Sequence, residues 1–399
     1  MDSMVSNLFV IMKGVFMQLV IDTGREYGIV LEGGGARGSY QIGAWKALRE
    51  AHIKISGIAG ASVGALNGAL MCMDDLERAE TIWNQISYSR VMKVDDELMK
   101  WIHDGRLNKI DLKTLAGSAA RIVRDRGFDV SPLKNLIAEA VDEDKIRNSA
   151  RELYITTFSV DDRRELVVDV KNLPQGDIPD ALLSSAYFPA FKNEKIGGKR
   201  YLDGSSFNNV PVDVLIDQGY RDIIIIRVYG LGFDTEKVVE IPEGVTVSHI
   251  APRQELGGIL EFDSKRAKRN MKLGYYDAKR FLYGLAGRMY YFDAPQGEAY
   301  YFDKMMSELE LIKGHITSDF EAGEAEQLDG YRAFTERIFP ALAVELKLKP
   351  GWNYKDLYLA LLETWARQLR MNRFRIYTPD EVAQKVLVQI RKLDSPFQV

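Results

Sequence analysis

Cysteine and histidine are scarce in this chain, and their scarcity excludes several kinds of chemistry. The single cysteine, Cys72, cannot build an internal disulfide framework, which suits a reducing compartment. The four histidines, His52, His103, His249 and His315, stand in no recognisable motif. No Cys/His cluster has zinc-ligand spacing, so no metal is expected. Charge of one sign is lacking too. A formal charge of −4, from 53 basic and 57 acidic residues, offers no electrostatic case for nucleic acid.

Long hydrophobic runs are also missing. The nearest approach is VSNLFVIMKGVFMQLVI at 5–21, which Lys13, Gly14 and Gln18 interrupt. No basic residue precedes Lys13 and no small-residue cleavage pattern follows, so a cleaved leader or a membrane span is not expected. Residues 1–26 read instead as an extension, a first core strand, or the result of a start codon placed too early. A cytoplasmic protein is the expectation, with room for peripheral membrane contact. What is present is ordinary for a globular chain: 46% hydrophobic and 28% charged residues over 399 positions. That length allows one large domain, or one domain with an appendage.

From about 27 to 230, apolar runs bounded by Gly, Pro and Asp alternate with helical patterns. Strands are expected at 27–32, 54–59, 152–159, 165–170 and 222–228. The last is continuously apolar, as a strand covered on both faces should be. Helices are expected at 40–50, 63–73, 76–88, 111–124, 132–141 and 264–286. The alternation predicts an α/β sandwich around a mostly parallel sheet. Beyond about residue 294 the pattern turns helical, at 300–313, 324–344, 354–371 and 379–392. The expected division is an extension at 1–26, a main domain at 27–293 and a helical C-terminal region at 294–399.

Two glycine motifs carry the chemistry. LEGGGARGSYQIG at 31–43 places Gly33, Gly35 and Gly38 in G-x-G-x-x-G between a strand and a helix, a place where backbone amides face something negative. A dinucleotide pyrophosphate would require an acidic residue ending the second strand. None lies there. That strand runs instead into Gly60-Ala61-Ser62-Val63-Gly64, a G-x-S-x-G elbow that exposes a serine hydroxyl between strand and helix. The positive end of the following helix favours developing negative charge there. With a nucleophile so close, the glycine loop reads as an oxyanion hole: Gly33, Gly34 and Gly35 let amides converge, and Arg37 adds a cation or clamps the loop.

The serine needs a base. Each histidine reads as a surface or packed residue, and an α/β hydrolase ordered Ser62, Asp203, then His249 or His315 is the mechanistic alternative. Tyr201-Leu202-Asp203-Gly204-Ser205 delivers an aspartate into a turn, although on these residues alone an ordinary Asp-Gly turn is the plainer reading. GGGARG at 33–38, GASVG at 60–64, SAYFP at 185–189 and DGS at 203–205, in that order, resemble the patatin-like phospholipase family. The resemblance covers roughly residues 27–290. It implies a three-layer α/β/α fold and a Ser–Asp dyad acting on lipid acyl esters without a cofactor. By motif position Ser62 is then the nucleophile, Asp203 the base, and Gly33 to Gly38 the oxyanion loop. Ser205 departs from the family's usual Asp-Gly-Gly or Asp-Gly-Ala, and Asn208-Asn209-Val210-Pro211 resembles its usual continuation.

The expected function is a serine lipid acyl hydrolase with phospholipid or a related ester as substrate. Its rivals are an acyltransferase using the same acyl-enzyme and a non-catalytic lipid-binding protein. Over 265–289, Met271, Tyr275, Ala278, Leu282, Leu285 and Met289 share one helical face, with Lys265, Lys268, Arg269, Lys272, Lys279 and Arg280 crowding the rest. Such a helix can lie on an anionic bilayer. A core-packing helix with a solvated face is the plainer expectation. Met71 and Met73, near the elbow, are expected to pack in the core and not to line an acyl channel.

Overall fold

The computed structural model describes residues 10–12, 15–103, 127–192, 194–230, 239–316, 332 and 334–394. Contacts divide the chain into two units, Val20–Leu282 and a second made of Met1–Leu19 with Tyr283–Val399. The helix expected at 111–124 and part of the one expected at 324–344 lie outside the described residues.

The first unit is built on a seven-stranded sheet. Its strands are β1 (Glu26–Leu31), β2 (Lys54–Ala61), β3 (Glu152–Ser159), β4 (Arg164–Asp169), β5 (Tyr201–Asp203), β6 (Asp222–Ile226) and β7 (Thr246–Ile250). They run in the order β4-β3-β2-β1-β6-β7, and β5 pairs with β3. Pairs β1–β2, β1–β6, β2–β3 and β6–β7 are parallel, whereas β4 and β5 run antiparallel to β3. The mostly parallel α/β expectation holds. β7 escaped the sequence reading because TVSHI is polar and mostly uncovered, without the apolar run that marks β6.

The chain walks from β1 to β2 to β3 on one side and returns to the other side of β1 with β6. The sheet therefore has a switch point between β1 and β6, where loops leaving the carboxyl ends diverge and leave a crevice. The loop after β1 and the elbow after β2 come out of neighbouring strands, with Leu31 paired to Gly60. Flanking helices relevant to the site are α1 (Ser39–Glu50), α2 (Val63–Cys72), α3 (Leu76–Asn84), α4 (Ser131–Ala140), α5 (Ile178–Ser185) and α6 (Ser264–Tyr283).

α6, the basic amphipathic helix, packs one face into the fold and leaves Lys265, Lys268 and Lys272 exposed. Ala267, Leu273, Ala278 and Leu282 are buried, and so are Asp277, Lys279 and Arg280 from its polar side. Arg280 pairs with Asp277 at 2.6 Å, and the Tyr40 hydroxyl of α1 donates to Asp277 at 3.0 Å. The helix ends at Tyr283, before Leu285 and Met289, as the chain turns through Gly284 at φ 63°. Met71 and Met73 are buried and do not line the cleft described below.

The second unit has a core of its own, in which Tyr290, Phe292, Tyr301, Phe339 and Leu357 are buried together. Its helices include Glu298–Ile316, Tyr354–Gln368 and Pro379–Asp394. A short parallel pairing of Tyr291–Phe292 with Ile376–Tyr377 lies among them, too brief for the sequence pattern to reveal. Near the N-terminus, Val10–Met12 and Val15–Met17 form an antiparallel pair. No helix among the described residues is long and apolar enough to cross a membrane.

Candidate active site

Ser62 sits where β2 turns into α2, with φ 53° and ψ −124°. A serine in that region is strained, and such strain persists only where surrounding contacts impose it. The packing explains both flanking glycines. A Cβ on Gly64 would lie 2.1 Å from the Leu31 carbonyl oxygen, and one on Gly60 would lie 2.5 Å from the Gly64 carbonyl carbon. The elbow is therefore pressed against β1. The Ser62 amide donates to Ser185 Oγ at 3.0 Å, and Ser185 Oγ in turn donates to the Thr156 carbonyl at 2.6 Å.

Asp203 ends β5 and faces the serine. Ser62 Oγ donates to Asp203 Oδ2 at 2.6 Å, while Oδ1 accepts the Ser205 amide at 2.8 Å. The Asp203 amide is tied to the Tyr187 carbonyl at 2.9 Å, so the SAYFP segment braces both partners. Asp203 is 3% exposed. Burial raises its pKa, and the hydrogen bonds from Ser205 and Ser62 only partly offset that. The result is a carboxylate of raised proton affinity in contact with a hydroxyl.

The glycine loop lies beside them, and its amides divide into two groups. The Gly33 amide donates to the Asn209 carbonyl at 3.2 Å, and the Ala36 amide to the Ile259 carbonyl at 2.7 Å. Among the described residues, no acceptor faces the amides of Gly34 and Gly35, and both residues line the same cleft as Ser62 and Asp203. Gly33 thus stabilises the loop, and Gly34 with Gly35 supplies the free donors. Gly38 is buried against Val63, its carbonyl accepting from Asn67 Nδ2 at 2.9 Å. Arg37 clamps the loop: its Nε donates to the Gly257 carbonyl at 2.7 Å and its Nη1 to the Tyr229 carbonyl. It is not among the residues lining the cleft.

The cleft encloses about 130 Å³, and its lining is apolar apart from Ser62, Asp203, Ser205 and Asn67. Leu66 and Leu70 of α2, Leu133 and Ile137 of α4, and Ile86 and Phe262 form much of the wall. Neither His52 nor His249, the two histidines whose side chains are described, lines it. His52 and His249 are exposed, the latter on β7. No group of His, Cys, Asp and Glu that could hold a metal occurs among the described residues. Such a site offers hydrocarbon to an apolar ligand beside a serine hydroxyl bonded to a carboxylate, with Gly34 and Gly35 lining the same cleft.

Three positions escaped the sequence reading. Ser185 stood within a motif read only as a family mark. Glu32 and Asn209 sat next to recognised motifs, yet nothing in composition or spacing signals that their side chains meet.

A family model described as "Patatin-like phospholipase" matches residues 29–216. The chain is 28% identical over 211 residues to neuropathy target esterase sws of Drosophila melanogaster, covering 52% of this chain and 13% of that one. It is 59% identical over 51 residues to lysophospholipase nte1 of Aspergillus terreus, covering 13% of this chain and 3% of the relative. The chain thus spans only a small part of the length of these curated relatives. Among solved structures, VipD from Legionella pneumophila aligns with a TM-score of 0.40 at 13% identity, over 93% of this chain and 88% of that one. ExoU of Pseudomonas aeruginosa, in complex with SpcU, aligns at 0.33 and 17% identity, over 86% and 78%.

Proposed function

Residues 29–216 belong to the patatin-like phospholipase family, and from that premise we propose that this chain is a serine lipid acyl hydrolase with Ser62 as nucleophile and Asp203 as base. The observation that carries the reading is the 2.6 Å hydrogen bond from Ser62 Oγ to a buried Asp203 carboxylate inside an apolar cleft. Ser62 Oγ attacks the ester carbonyl as its proton passes to Asp203 Oδ2. The carbonyl oxygen gains the negative charge and is met by the Gly34 and Gly35 amides, donors fixed before the reaction begins. Asp203 then returns the proton to the departing alcohol, leaving an acyl-enzyme. Water enters and adds to the acyl carbonyl as Asp203 takes its proton; Asp203 then returns the proton to Ser62 Oγ as the bond to the acyl group breaks and the fatty acid leaves. The raised proton affinity of Asp203 suits this exchange, because a base of ordinary carboxylate strength would hold a serine proton too weakly.

The substrate is a lipid acyl ester, with phospholipid and lysophospholipid included. The apolar lining supports the acyl chain as the recognised part. Half-exposed Phe188, Ile259 and Leu260 line the cleft and also meet solvent, which supports delivery of lipid by peripheral contact with a membrane surface. The test is covalent labelling with a fluorophosphonate probe, alongside hydrolysis of phospholipid and of a soluble short-chain ester. Ser62→Ala should abolish both labelling and hydrolysis while the far-UV spectrum stays unchanged. Hydrolysis persisting in that variant above background would overturn the proposal.

A further inference from the structure

We infer that Glu32 is a positioning residue for the oxyanion loop, acting from the switch point of the sheet; this rests on the reading of the site proposed above. Glu32 follows β1 directly, is 2% exposed, and its carboxylate collects five donors. Oε2 accepts the amides of Val228 at 2.7 Å and Tyr229 at 3.0 Å, and Arg227 Nε at 3.0 Å. Oε1 accepts the Gly230 amide at 3.2 Å and Asn209 Nδ2 at 3.3 Å. A buried carboxylate is stable only when so satisfied, and in return it fixes every group that satisfies it.

Those groups are the two walls of the loop. Residues 228–230 continue from β6 and lie against Gly34, where an added Cβ would meet Val228 Cγ2 at 2.6 Å and Gly230 Cα at 3.3 Å. Arg37 grips the same segment from outside through the Tyr229 carbonyl. Asn209 belongs to the turn that carries Asp203, and its backbone carbonyl holds the Gly33 amide. One carboxylate therefore joins the base-bearing turn, the wall behind Gly34 and the loop itself. Its own carbonyl is held as well, accepting Gln41 Nε2 at 2.7 Å. Glu32 touches neither Ser62 nor Asp203; it acts by fixing where the Gly34 and Gly35 amides point.

Glu32→Gln is the test. Glutamine has the same shape, but its NH2 group faces donors in place of an acceptor, so at least two of the five bonds are lost. Turnover per titrated active site on a soluble short-chain ester should fall about tenfold to a hundredfold, less than the 10²–10³ typical of losing an oxyanion donor. KM and the acid-limb midpoint of the pH profile should stay put. Inhibition by a trifluoromethyl ketone, which adds Ser62 Oγ to form an oxyanion, should weaken in parallel, while inhibition by a free fatty acid is unchanged. Unchanged turnover, or equal weakening of both inhibitors, would overturn the inference.

Amide hydrogen exchange across residues 32–38 provides a readout that needs no activity. It should accelerate in Glu32→Gln, and unchanged exchange counts against the role even if the proposed hydrolase reading fails. If Glu32→Gln does not fold, Asn209→Ala decides the matter. Asn209 Oδ1 is buried without a partner among the described residues, so alanine removes the single bond to Glu32 and leaves the backbone bond to Gly33. Turnover should then fall about twofold to tenfold at constant KM, and no change would refute the coupling.

Discussion

At the scale of single residues, the base role proposed for Asp203 carries a structural cost. Burial raises its pKa, so the folded protein binds this proton more tightly than the unfolded chain does. Its contribution to stability is complete below the ordinary aspartate value and is lost as pH rises through the raised one. Above the ordinary aspartate range Asp203 therefore opposes folding, and the ionised form that the proposed base role requires is the one that burial disfavours. Asp203→Asn should lower turnover by at least about a thousandfold. The same variant should melt about 2–4 °C higher at pH 7 for each ~1 kcal/mol relieved, and the gap should close in acid. Calorimetry of the two proteins across pH checks the sign. An asparagine variant that melts lower at pH 7 would contradict the burial argument. The wild-type kcat/KM profile should likewise lose activity in acid with a midpoint above the ordinary carboxylate range. Glutamine at His52 or His249 should leave turnover within about tenfold, since both side chains are exposed and neither lines the cleft.

At the scale of elements, the packing of α6 on α1 is so close that it leaves no room for side chains. A Cβ on Gly43 would lie 1.8 Å from the Met271 carbonyl oxygen, and one on Gly274 would lie 1.9 Å from that of Tyr40. Gly274→Ala should accordingly separate the helices at a cost of about 1–3 kcal/mol, visible as a lower denaturant midpoint at constant slope. A neutral or stabilising effect would mean the crossing is looser than described. This crossing also shows where sequence periodicity runs out. The alternation of apolar and basic residues located α6 to within a few residues, but an apolar face looks the same whether it meets a bilayer or α1. Buried Lys279 depends on a partner distant in sequence: it lies 3.7 Å from Glu50, and burial lowers its pKa. β6 was legible because burial on both faces leaves a continuous apolar run, and β1 to β4 because their apolar stretches are bounded by turn-forming residues. β7 and the two-residue pairings were not, because their strand character comes from neighbours and not from composition.

At the scale of the whole molecule, legibility follows the same line. Ser62 and the glycine loop could be read because an elbow and an anion-facing turn need glycine at fixed spacing. Asp203 was legible only through the order of four short motifs, since an Asp-Gly turn by itself carries no chemistry. Glu32, Asn209 and Ser185 were silent, because tertiary hydrogen bonds between segments well over a hundred residues apart leave no local pattern. All of these residues, and every described residue lining the cleft, fall within Val20–Leu282. The other unit buries its own aromatic core, with Glu363 Oε1 accepting the consecutive amides of Arg288, Met289 and Tyr290. A chain limited to residues 20–284, closing just after α6, should therefore keep the chemistry. Its Ser62 should react with a fluorophosphonate probe at a rate within about tenfold of the full chain. A shortened chain that melts cooperatively yet fails to label would mean that residues beyond 284 complete the site.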